Sequence, residues 1–192
     1  MNPNDVDNNA RSRLALALDV DDLVEAGRLG RKMLPWFSVA KVGLELFSAS
    51  GPEAVGAFVD QGYEVFLDLK LHDIPTTVGK ASRVLGSLGV SYVTVHSSGG
   101  VDMLAAAVDG LNEGASAAGL IPPMVLAVTV LTSDLEAPES LLQERLGYAI
   151  EADCGGVVCA ASDLQKVSST APELLSVVPG IRPEGVAAND QG

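Results

Sequence analysis

The sequence predicts an α/β protein with the topology of a (β/α)8 (TIM) barrel, whose eighth strand is absent from the 192 residues. Short apolar segments alternate with segments of helical periodicity, the pattern of a parallel sheet covered by helices. Polar residues fall at the C-terminal ends of several strands, where a barrel assembles its active site. The alternative, a doubly wound sheet, favours a glycine-rich first turn. Here that turn is Asp19-Val20-Asp21-Asp22, which argues for the barrel.

The predicted strands are short and rich in valine, leucine and alanine. They are expected at residues 13–19, 38–44, 63–71, 91–96, 124–131, 156–160 and 174–178. Several end on or beside a polar residue, among them Asp19, His96 and Thr129. Because parallel strands bring their C-terminal ends to one edge, these polar side chains are candidates for one site.

The predicted helices show apolar residues at spacings of three and four. They are expected at residues 22–34, 52–61, 75–88 and 139–152, with a further helix after Gly99-Gly100. Pro75 stands at the start of its helix, where a proline loses no hydrogen bond.

We expect residues 13–192 to form one barrel domain after a disordered polar tail at 1–12, since no linker or composition shift divides the chain. A barrel lacking one strand would expose two sheet edges, so we expect the 192 residues to be a fragment of a longer enzyme. The tail lacks the apolar segment of a secretory signal, and no segment has the length of a membrane span. We therefore expect a cytoplasmic protein that does not bind membranes.

The net charge of −13 argues against nucleic acid as a partner, because phosphate backbones attract basic surfaces. The two cysteines, Cys154 and Cys159, are too few for a disulfide framework or a tetrahedral metal site. They are expected to be small buried residues in a reducing compartment. Cys159 has no evident histidine or asparagine partner that would make it a nucleophile.

The most informative segment spans residues 66–77, FLDLKLHDIPTT, where charges occupy an apolar strand. A strand has a period of two, so Asp68 and Lys70 share one face. Charges on an inward face are costly to desolvate unless they pair or react. Lys41 lies within the preceding apolar strand, and we expect Asp68 to be its carboxylate partner. With Asp73, the array contains two acids and two bases.

Structural interpretations compete for the other polar candidates. Asp19 is equally well explained as the N-cap of the first long helix. His72 and His96 are expected to give hydrogen-bonding support rather than acid–base chemistry.

The extended run D-L-K-L-H-D-I-P-T-T resembles the signature of orotidine 5'-monophosphate decarboxylases. Further segments resemble that family in order along the chain. They are A-L-D at 17–19, K-V-G-L-E-L-F at 41–47, V-T-V-L-T-S at 128–133, P-G-I-R-P at 179–183 and N-D-Q at 189–191. The resemblance therefore extends from about residue 13 to the end of the sequence.

The resemblance implies decarboxylation of orotidine 5'-monophosphate to uridine 5'-monophosphate and carbon dioxide, without a cofactor or a metal. This reaction is the last step of de novo pyrimidine nucleotide synthesis. It implies that Asp68 is the carboxylate beside the scissile bond and Lys70 the proton donor. Lys41 and Asp73 would complete the charge network.

The resemblance also implies a set of substrate-binding residues. These are Asp19 and Lys41 at the ribose, Thr77, Thr132 at the pyrimidine, and Arg182 and Gln191 at the phosphate. Asp73 and Thr77 are implied to reach the neighbouring site of a homodimer with shared active sites.

Two alternatives remain open. A magnesium-dependent sugar-phosphate decarboxylase or aldolase of the same superfamily would share the pattern of Asp68, Lys70 and Asp73. Such enzymes resemble this chain less at Lys41, near which they carry a metal-binding glutamate. A non-catalytic barrel used for binding or assembly is the other alternative, and the charge array argues against it.

Overall fold

The strands follow one another in chain order across a single sheet. The computed structural model describes residues 7–130 and 138–181. Its strands are Ala15–Ala17 (β1), Val39–Gly43 (β2), Glu64–Leu71 (β3), Tyr92–His96 (β4), Met124–Val128 (β5), Gly156–Val158 (β6) and Leu175–Val177 (β7). The sheet order is β1-β2-β3-β4-β5-β6-β7. A doubly wound sheet reverses direction at a switch point, so this order confirms the predicted barrel topology.

The register is parallel in each pair for which it is defined. β1 pairs with β2, β2 with β3, β5 with β6, and β6 with β7. All seven predicted strands are present, each within the predicted range. The described residues contain no eighth strand.

Helices connect the strands. They are Asn8–Ser12 (α1), Leu23–Met33 (α2), Leu44–Ser50 (α3), Pro52–Val59 (α4), Pro75–Gly86 (α5), Gly100–Ala118 (α6), Glu139–Glu151 (α7) and Leu164–Thr170 (α8). The predicted helices correspond to α2, α4, α5, α6 and α7. Two of the unpredicted ones, α3 and α8, have seven residues each, too few for a clear period.

The predicted disordered tail at 1–12 is wrong for its last residues, which form α1. Asp7 caps this helix by accepting a hydrogen bond from the Asn9 N–H at 3.0 Å. Arg11 Nε donates to the Leu34 carbonyl at 3.1 Å, and the Ser38 hydroxyl donates to the Arg11 carbonyl at 3.1 Å. These long-range bonds order α1 although it buries no side chain.

The chain divides into two compact units. The first comprises the described residues up to Leu69 with Ser82–Val93 and Leu111–Pro123. The second comprises Lys70–Ala81, Thr94–Gly110 and the described residues from Met124 onward. Fully buried side chains of the first include Leu18, Val42, Leu46, Val55, Phe58, Val65 and Leu67. Those of the second include Met103, Leu104, Leu126, Leu146, Val157 and Val167. The single domain predicted for 13–192 stays a prediction.

Both cysteines are buried and unpaired in the second unit. Burial, and secondarily Asp153, raises the pKa of Cys154 to about 12. Burial, and secondarily Asp163, raises the pKa of Cys159 to about 11. The thiolate is the reactive form, so the raised pKa values lower the reactivity of both thiols near neutral pH.

Within the described ranges, none of the helices is both long enough and apolar enough to cross a bilayer.

In the first unit, α5 and α6 approach each other at glycines. A Cβ at Gly114 would overlap the carbonyl oxygen of Arg83, and one at Gly86 would overlap that of Leu111. Backbone atoms cannot rotate away as a flexible side chain can. A side chain at either glycine would therefore push the helices apart.

We expect Gly114→Ala to lower the free energy of unfolding by about 1–3 kcal/mol, because it overpacks this crossing. Gly147→Ala is the matched control: Gly147 is exposed in α7, and a Cβ there meets nothing within 4 Å. It should raise stability by about 0.5–1 kcal/mol, because alanine is the better helix former. Urea unfolding measures both. Equal effects at the two positions would contradict the close crossing.

Candidate active site

Three charged side chains meet in the first unit: Asp19, two residues after β1, Lys41 within β2, and Asp68 within β3. Lys41 Nζ lies 3.1 Å from Asp19 Oδ1 and 3.9 Å from Asp68 Oδ2. The register explains the second contact, because Gly43 of β2 is opposite Asp68 of β3. Lys41 is two residues before Gly43 and therefore shares its face of the sheet. The pairing of Lys41 with Asp68, predicted from the sequence, is present.

The two carboxylates beside Lys41 differ in exposure. The Asp68 side chain is 13% exposed and that of Asp19 is 66% exposed, with Lys41 at 23%. An exposed ion pair contributes little to stability, whereas an enclosed charge depends strongly on its partner. Asp68 therefore depends on Lys41 far more than Asp19 does, and Asp19 remains accessible to a ligand.

Gly43 borders this cluster. A Cβ there would lie 3.4 Å from Lys41 Nζ and 3.6 Å from Asp19 Oδ1. These are ordinary van der Waals distances, and the Gly43 φ of −88° is open to any residue. Neither the space nor the backbone therefore requires a glycine beside this cluster.

Asp19 does not cap the first long helix. Asp22 does so, because its Oδ1 accepts hydrogen bonds from the N–H groups of Val24 at 2.7 Å and Glu25 at 2.9 Å. The alternative explanation of Asp19 as an N-cap is therefore wrong. Its carboxylate instead contacts Lys41.

In the second unit, Lys70 has an unusual backbone conformation. Its φ is +49°, and Asp153 is the other described non-glycine residue with a positive value. This left-handed region costs an L-residue about 1–2 kcal/mol. The Lys70 N–H donates to the hydroxyl oxygen of Thr94 at 2.8 Å. Thr94 is completely buried in β4.

His72 and His96 lie close together in the second unit, with ring centroids 5.5 Å apart. Burial is the main cause that lowers the pKa of His96, and the electrostatic effects of His72, Lys70 and Arg145 lower it further. These effects favour the neutral form of His96. A neutral imidazole adds no second cation next to Lys70.

The turn after β4 is fixed by hydrogen bonds from two directions. Arg145 Nη1 of α7 donates to the Ser97 carbonyl at 2.9 Å. The Ser97 hydroxyl donates to the Val128 carbonyl at the end of β5 at 2.6 Å. These bonds hold the segment that follows His96.

The remaining predicted site residues fall into two groups. Asp73 and Thr77 are exposed in the second unit, and Asp73 Oδ1 accepts a hydrogen bond from the Ile74 N–H at 2.6 Å. Their predicted role in a neighbouring site stays a prediction. Thr132, Arg182 and Gln191 lie outside the described residues.

Sequence reasoning missed Thr94 and Arg145. A usable signal existed for Thr94, which is a polar residue between Val93 and Val95 and shares the strand face of His96. Arg145 had none, because an arginine on an amphipathic helix is ordinarily a solvated residue.

Among residues 7–130 and 138–181, no group of three or more His, Cys, Asp or Glu side chains is arranged to hold a metal ion.

Comparison with known proteins assigns the family. The model of the orotidine 5'-phosphate decarboxylase / HUMPS family matches residues 12–192. The chain belongs to this family. It is 45% identical over 163 residues to the orotidine 5'-phosphate decarboxylase of Lactiplantibacillus plantarum, covering 79% of this chain and 69% of that protein. It is 40% identical over 195 residues to the orotidine 5'-phosphate decarboxylase of Moorella thermoacetica, and this match covers 95% of this chain and 77% of that protein.

A solved structure supports the same assignment. The chain resembles the crystal structure of orotidine 5'-phosphate decarboxylase from Lactobacillus acidophilus with a TM-score of 0.76 and 35% identity. The match covers 90% of this chain and 82% of that one. The predicted α/β barrel fold class is therefore confirmed.

The contrast between Asp19 and Asp22 gives a stability test. Asp22→Ala should lower the free energy of unfolding by about 0.5–2 kcal/mol, because α2 loses its N-cap. Asp19→Ala should change it by less than about 1 kcal/mol, because its ion pair is exposed. Urea unfolding of the two variants measures both values. A larger loss for Asp19→Ala would contradict this division of roles.

Proposed function

We propose that this chain decarboxylates orotidine 5'-monophosphate to uridine 5'-monophosphate and carbon dioxide without a cofactor, the last step of de novo pyrimidine nucleotide synthesis. Family membership and relatives of that name at 40–45% identity support the proposal. The observation that carries it is the enclosed Lys41–Asp68 pair, followed two residues later on β3 by Lys70. A fold gains no stability from such charges over apolar residues.

Lys70 supplies the chemistry in this proposal. Cleavage of the bond to the carboxylate releases carbon dioxide and leaves the electron pair on a vinylic ring carbon. The Lys70 ammonium stabilises that developing charge and then donates a proton to the carbon. The amine regains its proton from solvent before the next turnover.

Asp68 raises the energy of the bound substrate relative to the transition state. Its carboxylate would lie beside the substrate carboxylate, and loss of carbon dioxide relieves the repulsion between them. Lys41 attracts Asp68 and so opposes its movement away from the substrate carboxylate, since the Lys41 Nζ and Asp68 Oδ2 atoms are 3.9 Å apart. Asp73 is proposed to complete the charge array formed by Lys41, Asp68 and Lys70.

The substrate is proposed to bind through groups distributed over several strand ends. Asp19 is the more exposed of the two carboxylates beside Lys41, and with Lys41 it suits ribose hydroxyls. Thr132 is assigned to the pyrimidine, Thr77 to the neighbouring site, and Arg182 and Gln191 to the phosphate. Phosphate contacts far from the reacting carbon provide binding energy that helps to form the reactive arrangement.

We expect Lys70→Ala to lower kcat more than about 100-fold with the fold intact, because the variant loses its proton donor. The matched control is Lys32→Ala, whose lysine is exposed at the end of α2 and should be dispensable. The assay follows the ultraviolet change of the pyrimidine with a chelator present throughout, and circular dichroism verifies folding.

Equal decarboxylation rates with and without the chelator are the expected result. Activity lost in chelator and restored by magnesium would favour the magnesium-dependent alternative. Activity of Lys70→Ala within tenfold of the unmodified chain would remove Lys70 from its assigned role.

We further propose a cytoplasmic homodimer in which Asp73 and Thr77 complete the neighbour's site. The exposure of both side chains at the start of α5 is compatible with contact to a second copy. The two unpaired, buried cysteines suit a reducing compartment.

Subunit mixing tests the shared site. Lys70→Ala and Asp73→Ala should each be inactive alone. Refolded together in equal amounts, they should recover about a quarter of the unmodified activity, because half of the dimers are mixed and each has one intact site. No recovery, with mixed dimers shown by differently tagged chains, would mean that Asp73 acts within its own chain.

A further inference from the structure

The hydrogen bond between β4 and the Lys70 backbone points to a function for Thr94. We propose that Thr94 is a positioning residue that holds Lys70 in its left-handed conformation and so sets the direction of its side chain. This inference rests on the proposed function, in which Lys70 is the proton donor. It concerns the backbone of Lys70, which none of the roles assigned above explains.

The conformation of Lys70 needs an external support. A φ of +49° in a non-glycine residue costs about 1–2 kcal/mol, so surrounding contacts must maintain it. The positive φ also interrupts the alternation of side-chain directions along β3, because a large change in φ redirects the Cα–Cβ bond of Lys70. The direction of the Lys70 side chain is therefore set by whatever fixes this φ.

Thr94 provides that support through its hydroxyl group. Its Oγ1 accepts a hydrogen bond from the Lys70 N–H at 2.8 Å. The Lys70 peptide nitrogen is one end of the N–Cα bond, and φ is the rotation about that bond. Fixing the N–H holds the peptide plane on one side of this rotation and so restricts φ. The partners are 24 residues apart in sequence, so local propensity cannot supply this contact.

The choice of threonine at this position has no packing explanation. Its neighbours Val93 and Val95 are both completely buried, as Thr94 is. Valine has nearly the same shape, is at least as favourable in a strand, and avoids burying a hydroxyl group. The hydroxyl is therefore retained for its hydrogen bonds, and a bond to the Lys70 backbone is one of them.

The kinetic test compares Thr94→Val, which removes the hydroxyl at nearly constant shape, with Thr94→Ser, which retains it. Thr94→Val should lower kcat about 10–100-fold, as expected for a proton donor misplaced by up to about 1 Å. KM and the affinity for uridine 5'-monophosphate should change less than about threefold, because binding groups are untouched. Thr94→Ser should recover most of kcat.

Tyr63→Phe is the matched control, because it also removes a buried hydroxyl at nearly constant shape. Tyr63 is buried, and its hydroxyl donates to the Gly30 carbonyl at 2.7 Å. Its loss should lower stability as Thr94→Val does but leave kcat nearly unchanged. Equal kcat losses in Thr94→Val and Tyr63→Phe, or equal rises in KM, would overturn the proposal in favour of a purely structural role.

A measurement independent of activity examines the Lys70 backbone directly. The chain contains five lysines, at 32, 41, 70, 80 and 166, so labelling with [15N]lysine produces five backbone amide signals. Lys70→Arg identifies the relevant signal by its loss. Hydrogen exchange at Lys70 should be accelerated in Thr94→Val relative to Tyr63→Phe.

The two proposals fail differently. If the unmodified chain does not decarboxylate the nucleotide, the proposed function fails, whereas amide exchange still reports the action of Thr94 on Lys70. If the chain is active and Lys70→Ala is not, but Thr94→Val retains kcat, only the positioning inference fails. Unchanged exchange at Lys70 in Thr94→Val overturns it in either case.

Discussion

The site of the first unit depends on one constraint, the enclosure of the Lys41 ammonium within an apolar strand. Two residues of the same strand, Ala40 and Val42, are completely buried, so the lysine cannot move away from the sheet. It reaches Asp68 across the parallel pair and Asp19 at the more exposed end. Removing one charge of such a pair is strongly destabilising. The register of β2 and β3 therefore determines where Asp68 stands.

The same constraint explains which parts of the fold could be predicted. Strands β2 and β3 are long apolar segments interrupted by charges, and both their bounds and the Lys41–Asp68 pairing follow from period two and the cost of burying a charge. Helix α2 follows equally from its apolar stripe. The short helix α3 begins directly after β2, and its seven residues, LELFSAS, contain no period that separates a strand end from a helix.

The correct N-cap could have been found with closer attention to spacing. Asp22 stands three residues before Glu25, the arrangement expected at a helix start, whereas Asp19 stands six residues before it. The backbone of Lys70 could not have been predicted. The run LDLKL alternates regularly, and its departure to positive φ is stabilised by Thr94 on another strand. Tertiary contacts of this kind leave no mark in a local pattern.

The electrostatics of the chain reconcile a net charge of −13 with an anionic substrate. Surface charges are screened over about 8 Å at physiological ionic strength, so the acidic exterior has a weak effect on an enclosed site. Local cations among the described residues include Lys41 in the first unit and, separately, Lys70 and Arg145 in the second. Burial lowers the pKa of His96 and so favours its neutral form, which leaves the positive charge around it to Lys70 and Arg145. Lys70 is the one among them whose ammonium can both attract an electron pair and transfer a proton to it, because the guanidinium of Arg145 does not deprotonate in proteins.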